Sequence, residues 1–384
     1  MKHSITRRDF VRASVTLAAG AGLGSGYRLE GAAPPGADSA IQAEWRNQQP
    51  GMRYRQLGRT GFMISEIVCG GDPISPDNYK HVLTAFKMGL NYFDTAPAYG
   101  HGRSEMGYAL ALQEAGRDRV FLNTKIDPFK ENRYNAYLKV FEGLSASEQA
   151  AILREASQDI ERRHVTTPDY FGHYDSGQYR QVEMAAVAGA LEKKYASKID
   201  RQRVYVETIT DSLEGSLRRL KTDHVDIMMC PHGAASPAEV QIHEIYEAFY
   251  RLKKEGKVRH LGVSAHNDPA GVLKAAVESG VYSMAMFAYN IMNRHYLEPV
   301  MTEAHSRDFG MIAMKTSQAV FYPDRSTRPV PERAALLNQT VPGNLGLHQK
   351  AYRLALDNPN LSSIISNMVN EQQVRENLPV AQNA

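Results

Sequence analysis

The chain has 384 residues, with 45 Lys and Arg against 42 Asp and Glu and a formal net charge of +3. Residues 1–33 carry five of those basic residues and two of the acidic ones, so the rest of the chain has a net charge of zero. A neutral body without a basic stripe excludes the electrostatic footprint of a nucleic-acid binder, and the two cysteines, Cys69 and Cys230, each closing an apolar run, exclude a disulfide framework.

In chain order, the first feature is Thr6-Arg7-Arg8-Asp9-Phe10-Val11-Arg12, which has the form of a twin-arginine export signal. The glycine-rich apolar stretch from Ala13 to Gly26 is too short to cross a bilayer as a stable helix. The plain alternative is a basic disordered tail. On the export reading, residues 1–40 are a signal peptide and linker, with Ala32-Ala33 or Ala40 at the cleavage point. The protein is then periplasmic or otherwise exported, or membrane-anchored where the signal stays uncleaved, and the twin-arginine translocation machinery is a partner. Scarce cysteine fits folding in a reducing compartment before export.

From residue 52 onward, short β-like runs alternate with helical stretches. The runs are Glu66–Cys69, Tyr92–Asp94, Val120–Thr124, Val225–Cys230, His260–Ser264, Met284–Phe287, Met311–Met314 and Ser363–Ile365. Helical stretches such as Tyr79–Gly89 and Pro269–Gly280 each close on a glycine. Eight such units predict an α/β fold, a (β/α)8 TIM barrel spanning residues 52–378, in which functional groups gather at the C-terminal ends of the strands. Asp94, Lys125, His232 and Ser264 all fall at such ends.

The chemistry concentrates in Asn91-Tyr92-Phe93-Asp94-Thr95-Ala96-Pro97-Ala98-Tyr99-Gly100, where a strand ends on a carboxylate and a broken loop carries a phenol. The next strand ends on Lys125. A free tyrosine has a pKa near 10; a lysine ammonium beside it favours the phenolate, and a carboxylate keeps that lysine charged and in place. Tyr99 is thus a candidate general acid/base, with Lys125 and Asp94 behind it. The bland reading is that Asp94 caps a helix and Lys125 reaches for solvent.

More than eighty residues separate Lys125 from Ser212, where a barrel unit needs about thirty. A helical insertion over about 128–204 is therefore expected, with helices over Ala146–Arg163 and Gln181–Tyr195. It leaves the third strand at its C-terminal end, which puts it over the site's mouth. Its aromatic and polar stretch Val165–Asp175 suits a ring-shaped polar substrate such as a sugar; a packing subdomain or an oligomer contact explains it equally. His164, His173 and Asp175 match no metal-ligand spacing, so no metal is expected.

Asp94, Tyr99 and Lys125 in this setting resemble the aldo-keto reductase superfamily. Arg53-Tyr54-Arg55-Gln56-Leu57-Gly58-Arg59-Thr60-Gly61 looks like that family's opening hairpin. Ser212–Leu220 with Val225-Asp226-Ile227, Gly256–Ser264 and Tyr289–Arg294 resemble its later strand and helix motifs. The resemblance implies hydride transfer between a nicotinamide and a small carbonyl or polyol substrate, with NADP (or NAD) as cofactor. It implies a histidine at the fourth strand's end as the fourth catalytic residue. Pro231 stands at that place and His232 follows one later, so His232 takes the role. On the cofactor side it implies Ser264, Asn267, Met314, Lys315, Arg375 and Asn377. Met314 replaces an aromatic that normally covers the nicotinamide ring, and Lys315 can meet a pyrophosphate. These departures leave two alternatives open, namely a barrel that only binds a ligand or partner, and a non-redox sugar lyase or isomerase.

Overall fold

A computed structural model describes residues 41–382 apart from 173, 175–176 and 324–326. The twin-arginine stretch, His173 and Asp175 therefore lie outside the described residues.

Three short strands open the fold: β1 (Glu44–Trp45), β2 (Tyr54–Gln56) and β3 (Phe62–Ser65). β2 and β3 form the expected antiparallel hairpin, Tyr54 opposite Ser65. β1 adds to it parallel, Glu44 opposite Phe62; two residues are too few to show a period-2 pattern in the sequence. Eight parallel strands then close a barrel: β4 (Ile67–Gly70), β5 (Tyr92–Asp94), β6 (Phe121–Lys125), β7 (Val225–Met229), β8 (Val258–Ala265), β9 (Met284–Ala288), β10 (Gly310–Met314) and β11 (Ser363–Ser366). All eight lie where the apolar runs predict them, and β11 pairs back onto β4.

Strand alternation separates two cores. Val68, Tyr92, Phe121, Ile227, Met229, Met284, Met286, Ile312 and Met314 point into the barrel. Their neighbours Cys69, Phe93, Leu122, Met228, Ala285 and Ala313 face the surrounding helices. Leu57, Phe62 and Ile64 of the hairpin enter the inner core from the N-terminal end. There the Phe62 ring stacks on Phe121 at 4.4 Å. Gly58, at φ +49°, is needed at this plug because a Cβ on it would lie 2.2 Å from the backbone nitrogen of Gly310. Each fully buried side chain of this size contributes about 1.5–3 kcal/mol, so this plug closes one end and leaves the C-terminal rim as the open one.

Three helices follow β6, over Pro128–Glu142, Ala146–Arg163 and Gln178–Tyr195. The first is not legible as a helix, because Lys130 and Arg133 are buried beside Phe129, Tyr134 and Tyr137 and break the apolar period. Ser145 and Glu148 form a capping box that starts the second. Arg133, wholly buried, bonds Glu192 at 2.9 Å and Glu239 beyond β7 at 3.4 Å. Arg163 and Tyr170 both bond Asp268 after β8, at 2.7 and 2.8 Å. Tyr174 is buried and accepts from Asn290 after β9 at 2.7 Å. The segment thus leans over the C-terminal rim, on the side of β7, β8 and β9. Among the described residues no helix is long and apolar enough to cross a membrane.

Candidate active site

Alternation fixes the inward side of the rim. Tyr92 faces inward on β5 and so does Asp94, two residues on; Phe121 faces inward on β6, and so do Asn123 and Lys125. Asp94 stands opposite Asn123 in the parallel pairing. Its Oδ1 accepts from Lys125 Nζ at 2.5 Å and from Asn123 Nδ2 at 2.8 Å. Lys125 Nζ also donates to the Thr95 carbonyl at 3.1 Å. Both partners are nearly sealed from water, with side chains 1% and 3% exposed.

Tyr99 arrives on the turn after β5. Pro97 breaks the strand, and a one-turn helix Tyr99–Gly102 runs through left-handed residues Gly100 and His101 (φ +57° and +55°). This places the Tyr99 ring centroid 4.5 Å from Lys125 Nζ. Burial pushes the phenol up to about 12, while Lys125 pulls it down through its charge and a hydrogen bond. Burial also works against the Lys125 charge, but Asp94 and Tyr99 overcome it and hold the ammonium above its ordinary value.

His232 sits on the turn Cys230-Pro231-His232-Gly233 after β7, which contains a cis Cys230–Pro231 bond. The turn is tied down by Gly233 N–H donating to Ser264 Oγ at 2.9 Å and by Lys130 Nζ donating to the Gly233 carbonyl at 2.8 Å. The His232 ring lies edge-on to Tyr99, centroids 5.9 Å apart, and its Nδ1 meets a carboxylate oxygen of Asp127. Displacement by one residue from the fourth strand's end has not carried it out of the site.

From this cluster a cleft of about 430 Å³ runs over the rim. Asp72, Tyr99, His232 and His266 line its acid–base part. Met286, Met314, Lys315, Thr316 and Gln318 line its middle, and Asn367, Gln373, Glu376 and Asn377 the part beside the helix Glu371–Asn377. Burial, with Lys315, His232, Lys130 and Lys125 adding to it, pushes the His266 imidazole well below its ordinary value. Its Nδ1 is buried without a partner among the described residues.

A family model described as the aldo/keto reductase family matches residues 69–383. The chain belongs to the aldo/keto reductase family. It is 27% identical over 225 residues to the aldo-keto reductase AMT2 of Alternaria alternata, a match covering 55% of this chain and 49% of that protein. It thus spans only about half of that relative. Identity is 24% to the uncharacterized oxidoreductase YqkF of Bacillus subtilis, over 86% of this chain and 91% of that one. It is 23% to the NADH-specific methylglyoxal reductase of Escherichia coli, over 63% and 60%. Among solved structures, the aldo-keto reductase of Klebsiella pneumoniae in complex with NADPH shares the fold at a TM-score of 0.53 and 17% identity, over 86% of this chain and 89% of that one.

Within this aldo/keto reductase barrel the expected residues divide. Asp94, Tyr99, His232, Met314, Lys315 and Asn377 line the cleft, and Lys125 lies directly behind Tyr99. Three expected cofactor residues do not line it. Ser264 is spent beneath the His232 turn, accepting from Gly233. Asn267 is buried and donates to Gln181 of the insertion at 3.2 Å. Arg375 pairs with Glu371 on the outer face of its helix, because Gln373, Glu376 and Asn377 share the opposite face at three- and four-residue spacing. Asp127 and His266 were missed as site residues. An Asp-Pro pair just past a strand reads as a helix start, which Asp127 also is, and a histidine directly after β8 carries no distinguishing spacing.

Proposed function

We propose that the protein is an NAD(P)-dependent oxidoreductase that moves a hydride between a nicotinamide and the carbonyl or alcohol carbon of a small polar substrate, such as a sugar or sugar derivative. The observation that carries this reading is the buried Asp94–Lys125 pair at 2.5 Å, with the Lys125 ammonium 4.5 Å from the Tyr99 ring at the mouth of the cleft. A buried ion pair costs desolvation energy that a purely binding barrel has no reason to bear.

In the reducing direction Tyr99 donates its proton to the carbonyl oxygen. With the phenol pushed up to about 12, nearly all Tyr99 carries that proton at neutral pH. Lys125 then stabilises the phenolate left behind, and Asp94 and Asn123 hold the ammonium–carboxylate geometry. In oxidation the Tyr99 phenolate, stabilised by Lys125, takes the proton from the alcohol. His232 contacts the same oxygen from the side of β7.

The donor set along the cleft fits a dinucleotide: Lys315 for a pyrophosphate, the side-chain amides of Asn367, Gln373 and Asn377 for hydroxyls and ring nitrogens, and Met286 with Met314 as apolar cover for a ring. When bound, that group supplies or accepts the hydride. NADP is the reading the family favours, and NAD remains compatible with a lining that holds Glu376 and, among the described residues, no arginine. Asp72 and His266 make the acid–base part polar, which favours a polyhydroxylated substrate over an apolar one.

The twin-arginine stretch Thr6–Arg12 supports export of the folded protein with its cofactor aboard, recycled by oxidising one substrate and reducing another. The test is to purify the protein from the periplasm and identify bound nucleotide by absorbance and mass. Stoichiometric NADP(H) or NAD(H), with turnover lost in Tyr99→Phe, supports the whole reading. An empty preparation that turns over only with added cofactor refutes recycling, and failure to bind either nucleotide refutes the oxidoreductase.

A further inference from the structure

Asp127 lies two residues past the catalytic lysine, between β6 and the insertion, and its carboxylate joins the two loops that carry the proton-handling groups. One oxygen accepts the Ala98 N–H at 2.5 Å, next to Tyr99. The other meets Nδ1 of His232. Their side chains are only 19% and 17% exposed, so the interaction is weakly screened. From these contacts we infer that Asp127 is the positioning residue of a histidine–carboxylate pair, which sets His232 to hydrogen-bond the substrate oxygen as a donor in reduction and an acceptor in oxidation, while Tyr99 carries the transferred proton.

The chemistry follows from which atoms can donate. A carboxylate only accepts, so the proton shared with Asp127 sits on Nδ1 of His232. The remaining nitrogen, Nε2, is left for the cleft. In the neutral ring it offers a lone pair, which accepts a hydrogen bond from an alcohol. In the imidazolium it donates to a carbonyl oxygen, and the charge then faces the Asp127 carboxylate. Among the described residues, Lys125 behind Tyr99, Lys130 on the Gly233 carbonyl, His266 and the Tyr99 phenol lie near the ring, and Asp72 and Asp94 line the same cleft without bonding it. Among the described residues Asp127 is the one carboxylate that bonds it. Burial works against ionisation of Asp127, but His232, the Ala98 N–H and Lys125 overcome it and hold the carboxyl below its ordinary range. The same carboxylate also fixes the spacing of the two rings, because it holds the Tyr99 loop through Ala98 and the His232 turn through Nδ1.

This inference rests on the oxidoreductase reading for its kinetic arm alone. That arm uses NADPH or NADH with glyceraldehyde and a set of small aldoses and ketoses. Asp127→Asn is expected to lose kcat about 10- to 100-fold, with nucleotide Kd changed less than about twofold. His232→Gln is expected to lose a comparable amount, and the double variant no more than His232→Gln alone. Asp127→Glu is expected to restore part of kcat. A fall in Tm cannot mimic this split between kcat and nucleotide binding. The second arm needs no turnover: 15N shifts of labelled histidine, with His232 assigned through His232→Gln, are expected to show Nδ1 protonated. A kcat for Asp127→Asn within about twofold of native, losses that add in the double variant, or an Nε2–H tautomer with bare Nδ1 overturns the inference. If the native protein turns over nothing with either nucleotide, the proposed function fails, and the tautomer still decides the role of Asp127.

Discussion

The two parts of the cleft are built differently. The acid–base part stands on strand ends: Asp94 and Lys125 are held by register between β5 and β6, nearly sealed from water, and fixed by ion pairs and short hydrogen bonds. The part beside the helix Glu371–Asn377 stands on a seven-residue helix and a loop, with half-buried or exposed side chains. Groups that must present a charge to a buried proton-transfer centre need a rigid, dry scaffold, whereas groups that only recognise a ligand work from a wetter surface.

The contrast is sharpest for Lys125→Met. Removing the ammonium leaves Asp94 buried without its charge partner, and unfolding in denaturant should show a loss of about 3–5 kcal/mol, together with loss of turnover. A loss below about 1 kcal/mol in the same titration would mean that the strand-end pair is no more demanding than a surface one. Tyr99→Phe comes next: kcat should fall about 100- to 10,000-fold while the melting temperature and nucleotide affinity hold. A nearly native kcat would remove the phenol from the chemistry.

A pH measurement separates the two parts further. The folded-state pKa of His266 lies below its unfolded value, so the unfolded chain binds more protons as the medium acidifies. Stability is therefore full above about pH 6.5 and declines as pH falls below it. His266→Gln should flatten that decline in a series of denaturant titrations. The smallest effect belongs to the helix: Gln373→Ala should weaken nucleotide binding about 2- to 10-fold, as for one lost hydrogen bond, with kcat at saturation unchanged.

The same division governs what the sequence discloses. Barrel strands announce themselves as apolar runs, and a polar residue ending such a run, as Asp94 and Lys125 do, is legible as chemistry. The helix over Pro128–Glu142 is hidden because it buries Lys130 and Arg133 inside a polar network. Asp127 is hidden because its partners Ala98 and His232 are distant in sequence and meet only when three loops converge. Ser264, Asn267 and Arg375 show the converse. Their places along the chain suit a cofactor, yet each is already engaged elsewhere, and a turn, an insertion or the face of a helix decides that in space.

The wholly buried guanidinium of Arg133 has a consequence for traffic into the cleft. It ties two helices of the insertion to each other through Glu192 and ties the insertion to the segment after β7 through Glu239, so swinging the insertion outward would strand a cation in a dry interior. On that flank the lip of the cleft is held as a fixed wall rather than a movable flap.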